Sequence, residues 1–186
     1  MTVLARRPLP AHIVSSPAPP KLTFIQHSDF MSYPPSLLSQ LKDHDAVLWA
    51  LGKTSVGSSE AEYTVFTKDY ALAAARAFAG IERDGSGKFV FCYVSGAGAA
   101  QAEGKAGQMF GRVKGRAERA LAELNEQSGL GARLATYSFR PAGIEPVAPV
   151  PEASRLQRWL YPVVSGVVFL SLAGSPPCLA LVAVTP

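Results

Sequence analysis

Cysteine is nearly absent from this chain, with two in 186 residues, Cys92 and Cys178. Two thiols build neither a disulfide scaffold nor a cysteine-rich zinc site, so a reducing compartment is expected. Charge is sparse too. Charged residues make up 17% and hydrophobic residues 48%, which excludes a mostly disordered chain. The formal net charge is only +4, and no run of Lys or Arg is dense enough to form a nucleic-acid arm. No nucleic-acid partner is therefore expected. Histidine is scarce: His12, His27 and His44 have no partner at metal-ligand spacing, so no metal site is expected. A secretory signal is lacking as well, because residues 1–5 are a very short apolar stretch followed at once by Arg6, Arg7 and prolines. These absences leave a soluble, cytoplasmic α/β protein as the expectation.

From Trp159 to Pro186 charge is missing altogether. A membrane span needs roughly 20 apolar residues, and Pro162 and Pro176-Pro177 cut this run short of that length. A buried end of the domain is favoured over a span, with membrane association through the tail as the alternative. The chain accordingly divides into a domain at residues 1–158 and an uncharged apolar tail at residues 159–186.

Within the domain, extended and helical patterns alternate. Residues 2–5 form a short apolar strand ending in Arg6-Arg7. Five prolines at positions 8, 10, 17, 19 and 20 mark a loop, and residues 21–26 a second strand. Pro34-Pro35 open a short helix through Leu38 and Leu41, since proline is tolerated in a first helical turn. The continuous apolar run at residues 46–51 suits a strand covered on both faces. Ser59 caps the next helix and Glu62, three positions on, completes a capping box. Tyr63, Phe66, Tyr70, Ala74 and Ala77 then share one face at helical spacing, and Gly80 marks its end. Residues 88–94 are the strongest strand, in which Cys92 reads as a small core residue. Residues 108–126 form a long helix with Met109, Val113, Ala117, Ala120, Leu121 and Leu124 inward. Arg112, Arg116 and Arg119 are expected with Glu118 and Glu123 on its outer, solvated side. Residues 134–139 give a last strand. Strands separated by helices imply parallel strands joined by crossovers.

In an open parallel sheet ligands sit outside the carboxyl ends of the strands. There lie Arg6-Arg7, Asp29-Phe30, Leu51-Gly52-Lys53-Thr54, Ser95-Gly96-Ala97-Gly98 and Arg140-Pro141-Ala142-Gly143. Together with Phe110 and Lys114 on the following helix, this order resembles the atypical short-chain dehydrogenase/reductases. Among them it is similar to the small NAD(P)-binding proteins related to the human Tat-interacting oxidoreductase. The resemblance covers residues 2–143 and implies a Rossmann-like, doubly wound parallel sheet. It also implies that Arg6 and Arg7 meet the 2′-phosphate of NADP, a task suited to the planar guanidinium fork; NAD is the alternative cofactor. Asp29 and Phe30 would border the adenine ring, Leu51 and Gly52 the ribose and pyrophosphate, and Pro141 the cofactor from the last strand. Ser95 takes the place of the serine that hydrogen-bonds a substrate carbonyl. Lys114 takes that of the lysine that binds nicotinamide ribose.

Two departures from the pattern shape the functional expectation. The tyrosine of the family's Tyr-x-x-x-Lys motif is Phe110 here, and phenylalanine has no proton to donate. Tyr93, Tyr137 or a water held by Ser95 and Lys114 are the other proton sources to consider. The chain also starts where the family's second strand starts, without the first strand and its glycine-rich phosphate turn. An N-terminally incomplete sheet is therefore expected, in which strands normally flanking the first one lack a partner. The resulting reading is an NAD(P)-binding, epimerase-like oxidoreductase acting on a small carbonyl or alcohol. Its rivals are a catalytically silent cofactor-binding or protein-interaction module and a non-functional fragment.

Overall fold

The computed structural model describes residues 1–9, 22–82, 87–99, 108–127 and 129–141. His12, Cys178 and the expected tail at residues 159–186 lie outside them. Among the described residues five short strands form, each where an apolar run with β-branched or aromatic residues is bounded by polar, Gly or Pro positions. They are β1 (Thr2–Ala5), β2 (Thr23–Gln26), β3 (Ala46–Trp49), β4 (Phe89–Val94) and β5 (Leu134–Phe139). Every ladder is parallel. β1 pairs with β2, Thr2 opposite Thr23; β3 pairs with β4, Ala46 opposite Val90; β4 pairs with β5, Phe89 opposite Leu134.

The ladders make two sheets, β1-β2 and β3-β4-β5, with no pairing between β1 and β3. That seam falls where the sequence predicts neighbouring strands without their shared partner. Side chains bridge it instead. At the amino ends, His44 Nε2 lies 2.9 Å from Thr2 Oγ1. At the carboxyl ends, Arg6 and Lys53 both approach the ring of Phe66. Matching contacts at both ends mean that β1 and β3 run in the same direction.

Helix α1 (Pro35–Gln40) starts with proline in its first turn and buries Leu37. Helix α2 (Glu60–Thr64) is capped by Ser59 Oγ, which accepts from the Glu62 amide at 3.2 Å. It continues through a π-helical turn (Val65–Asp69) into α3 (Tyr70–Ala79), which stops at Gly80. The π turn shifts the buried face. Tyr63, Thr67, Ala71, Ala74, Ala75 and Phe78 point inward, whereas a regular helix would have used Phe66, Tyr70 and Ala77, because the wider turn adds a residue to one revolution. Helix α4 (Met109–Glu126) and the single turn α5 (Leu130–Arg133) complete the set.

The core lies between these helices and the sheets. Leu4, Phe30, Trp49, Phe91, Phe78 and Leu121 belong to one cluster. Phe30 meets Trp49 edge-on at 6.0 Å, and Trp49 meets Phe91 at 5.7 Å, so packing crosses the seam where the backbone ladder does not. Cys92 is half-buried on the other face of β4, where burial raises its thiol pKa. Among the described residues no helix is long and apolar enough to cross a membrane.

Candidate functional site

The carboxyl end of β4 carries the densest chemistry. Ser95 follows the strand directly and is 5% exposed, with a hydroxyl that has no hydrogen-bond partner among the described residues. Its amide donates to the Phe139 carbonyl at 2.8 Å, and the Ala97 amide donates to the Pro141 carbonyl at 3.2 Å. The turn at residues 95–97 is thus stitched to the end of β5. Lys114 approaches from α4, and its Nζ donates to the carbonyls of Val94 at 3.1 Å and Ser95 at 3.3 Å. Burial lowers the Lys114 pKa, and the nearby Glu118 carboxylate works in the opposite sense.

Phe110 stands one turn before Lys114, as the motif spacing requires. A Cβ built on Gly98 would lie 2.8 Å from its Cζ, so the ring rests directly on that glycine. Neither alternative tyrosine replaces the missing hydroxyl. Tyr93 is buried and donates to the Thr67 carbonyl at 3.2 Å, beneath the π turn. Burial, with Tyr63 and Glu118 nearby, pushes its pKa up. Tyr137 is 61% exposed on β5.

At the seam, the Arg6 guanidinium lies 5.9 Å and Lys53 Nζ 5.4 Å from the centre of the Phe66 ring. Lys53 is also paired with Glu62. Arg6 Nε is buried and makes no hydrogen bond among the described residues, while Arg7 is exposed. Two expected binding residues sit otherwise than the sequence implied. Phe30 is 0% exposed and packed on Trp49, so its ring supports the loop from inside and offers a ligand no surface. Leu51 is likewise buried, which leaves only its backbone for contact. Asp29 is exposed and caps its own turn, Oδ1 accepting from the Met31 amide at 3.0 Å. Beside Gly52 a Cβ would meet nothing within 4 Å, so no protein neighbour demands glycine there.

The helix arginines also depart from expectation. Arg112 and Arg116 reach across to Glu60 of α2, each at 2.7 Å, where a solvated face is expected. Glu118 is not solvated at all: it is 4% exposed and paired with Arg140. The signal for this was its position four residues after Lys114, which puts both on one helix face.

No protein-family model matches the chain, and no curated protein matches it. Solved structures do. MoeE5 in complex with UDP-glucuronic acid and NAD is 19% identical with a TM-score of 0.59, matched over 84% of this chain and 50% of its own. The Bordetella bronchiseptica enzyme WbmG in complex with NAD is 13% identical with a TM-score of 0.54, over 89% and 51%. UDP-glucuronic acid 4-epimerase from Bacillus cereus, in complex with NAD, is 15% identical with a TM-score of 0.50, over 75% and 47%. The chain spans about half the length of these structures. At such identities the likeness establishes the fold, a parallel, Rossmann-like α/β arrangement shared with NAD-bound proteins.

Proposed function

We propose that the chain is the nicotinamide-cofactor-binding part of an oxidoreductase-like protein of the atypical short-chain dehydrogenase/reductase type, related to the Tat-interacting group. The observation that supports it most is the meeting of Ser95 and Lys114 at the carboxyl end of the central strand β4. These residues fit the nicotinamide end of such a cofactor. Lys114 has three donors and two are committed to carbonyls, so one remains for a ribose hydroxyl. Ser95 Oγ is a buried hydroxyl without a partner among the described residues, able to orient a small carbonyl or alcohol oxygen. A bound nicotinamide would supply the hydride acceptor or donor. At the phosphate end the described residues offer the cations Arg6 and Lys53 beside Phe66 rather than a glycine-rich turn. Arg6 and Arg7 make NADP the preferred form and NAD the alternative; Asp29, Gly52, Pro141 and the Leu51 backbone would border its remainder.

The test is titration of NADPH and NADH by fluorescence, with far-UV circular dichroism on the same sample. NADPH should bind more tightly than NADH. Lys114→Met should weaken both by about tenfold, the loss expected for a charge-assisted hydrogen bond of about 1.5 kcal/mol. Folded protein that binds neither overturns the reading.

Phe110 favours a second reading, a catalytically silent binding module, because its ring occupies the motif's proton-donor position and rests on Gly98. A panel of carbonyl substrates with NADPH separates the two. Turnover by the natural chain that is lost on Ser95→Ala supports the enzyme, whereas turnover that appears only in Phe110→Tyr supports the silent module.

A further inference from the structure

We infer that Glu118 and Arg140 are positioning residues of this site, a clamp between a buried carboxylate and a guanidinium at the surface that fixes both Lys114 and the turn at residues 95–97. The inference rests on the reading of Ser95 and Lys114 given above. The Glu118 carboxylate is almost wholly removed from water and accepts from Arg140 Nε at 2.8 Å and from Arg140 Nη2. A carboxylate so buried is compensated best by a two-pronged guanidinium.

What that pair holds follows from the neighbours of Arg140. The carbonyl before it, on Phe139, takes the Ser95 amide, and the carbonyl after it, on Pro141, takes the Ala97 amide. Fixing residue 140 therefore fixes both acceptors of the turn. On the other side, Glu118 lies one helical turn beyond Lys114, whose ammonium grips the Val94 and Ser95 carbonyls. The connections close on themselves: turn to β5 end, β5 end to Glu118, Glu118 along α4 to Lys114, and Lys114 back to the turn. A closed loop of this kind holds Ser95 and Lys114 in one relative geometry, which proximity-dependent chemistry requires.

The clamp also sets charge. Tyr93 of β4 faces Lys114 with its ring, 5.5 Å from Nζ, and its hydroxyl points away toward Thr67. Tyr63 of α2 is close enough to Tyr93 to act on it electrostatically. Arg112 and Arg116 of α4 turn to Glu60, and Arg140 at the end of β5 is engaged by Glu118. Glu118 is the carboxylate that opposes the effect of burial on Lys114. Removing its charge moves the loss of the Lys114 proton to lower pH.

The experiment is acylation of Lys114 by acetic anhydride as a function of pH, read by mass spectrometry on the full chain. In Glu118→Gln the labelling midpoint should fall to lower pH, the direction expected when a nearby opposite charge is removed. In Glu118→Asp it should stay near the wild-type value. An unmoved midpoint in folded Glu118→Gln overturns the inference. Arg140→Lys keeps a cation but loses the fork, and provides a second readout should Glu118→Gln fail to fold. Amide exchange at Ser95 and Ala97 should then accelerate while that of β4 stays slow; unchanged exchange overturns the inference too. Neither readout needs a ligand, so failure of the wild type to bind NADPH or NADH would overturn the cofactor reading while leaving the clamp to be decided separately.

Discussion

A Cβ on Gly131 would lie 1.9 Å from the carbonyl oxygen of Asn125, far inside contact distance. The obstacle is backbone, and that backbone is pinned. Asn125 Nδ2 donates to Thr136 Oγ1 at 2.9 Å, the Thr136 amide donates to Asn125 Oδ1 at 3.1 Å, and Thr136 Oγ1 donates to the Leu121 carbonyl at 3.0 Å. The end of α4 cannot slide away from β5 without losing these bonds. Gly131→Ala should therefore cost about 2–3 kcal/mol, at the upper end of overpacking effects. At Gly87 a Cβ meets nothing within 4 Å, so Gly87→Ala should stay within about 0.5 kcal/mol of wild type. Urea unfolding midpoints of the two variants decide it, and equal midpoints would mean that the Asn125 segment yields.

Between elements, Glu60 ties the start of α2 to α4 by bridging Arg112 and Arg116. Hydrogen bonds from Arg112 first and Arg116 second hold its carboxyl below the usual carboxylate pKa. A lowered pKa means stability that is present above the ordinary carboxylate range and lost as pH falls through the folded value. Wild type should thus melt above Glu60→Gln at neutral pH, by a margin that shrinks in molar salt and vanishes in strong acid. A margin that persists in acid would assign it to packing. How much of this was legible depends on the kind of signal. The strands β1 and β5 and the helix α4 follow their apolar runs closely, because local burial and local sequence agree. The π turn leaves no trace in the hydrophobic pattern, which puts Phe66, Tyr70 and Ala77 inward where Thr67, Ala71 and Phe78 are buried, while Tyr63 and Ala74 lie inward as expected. Glu118 was read as solvated because glutamates among arginines usually are. Only the fold brings Arg140, 22 residues away, onto it. Ser95 and Lys114 were legible because a strand end and a helix spacing place them, whereas the burial of Phe30 depends on Trp49, which no local pattern announces.

On the scale of the molecule, the seam between β1 and β3 separates two bodies of unequal strength. β4 is laddered on both sides, and its Phe89, Phe91 and Tyr93 are all buried against the helices. β1 and β2 share one four-residue ladder, and β2 is exposed at both its ends, Thr23 and Gln26. A two-stranded unit of that length is marginal by itself. Here it is held by packing of Leu4 and Phe30 into the common core and by the Thr2–His44 contact, none of which protects the β2 backbone directly. Local opening should therefore begin with β2 and leave β3-β4-β5 intact. Native-state amide exchange followed residue by residue should show Thr23 and Ile25, whose amides face β1, exchanging well before Phe91 and Tyr93, with the latter tracking global unfolding. Trp49→Leu should widen the difference, because Trp49 is the ring that Phe30 meets from one side and Phe91 from the other. If all four amides instead exchange together, the two sheets open as one unit, and the packing across the seam is as cohesive as a ladder would have been.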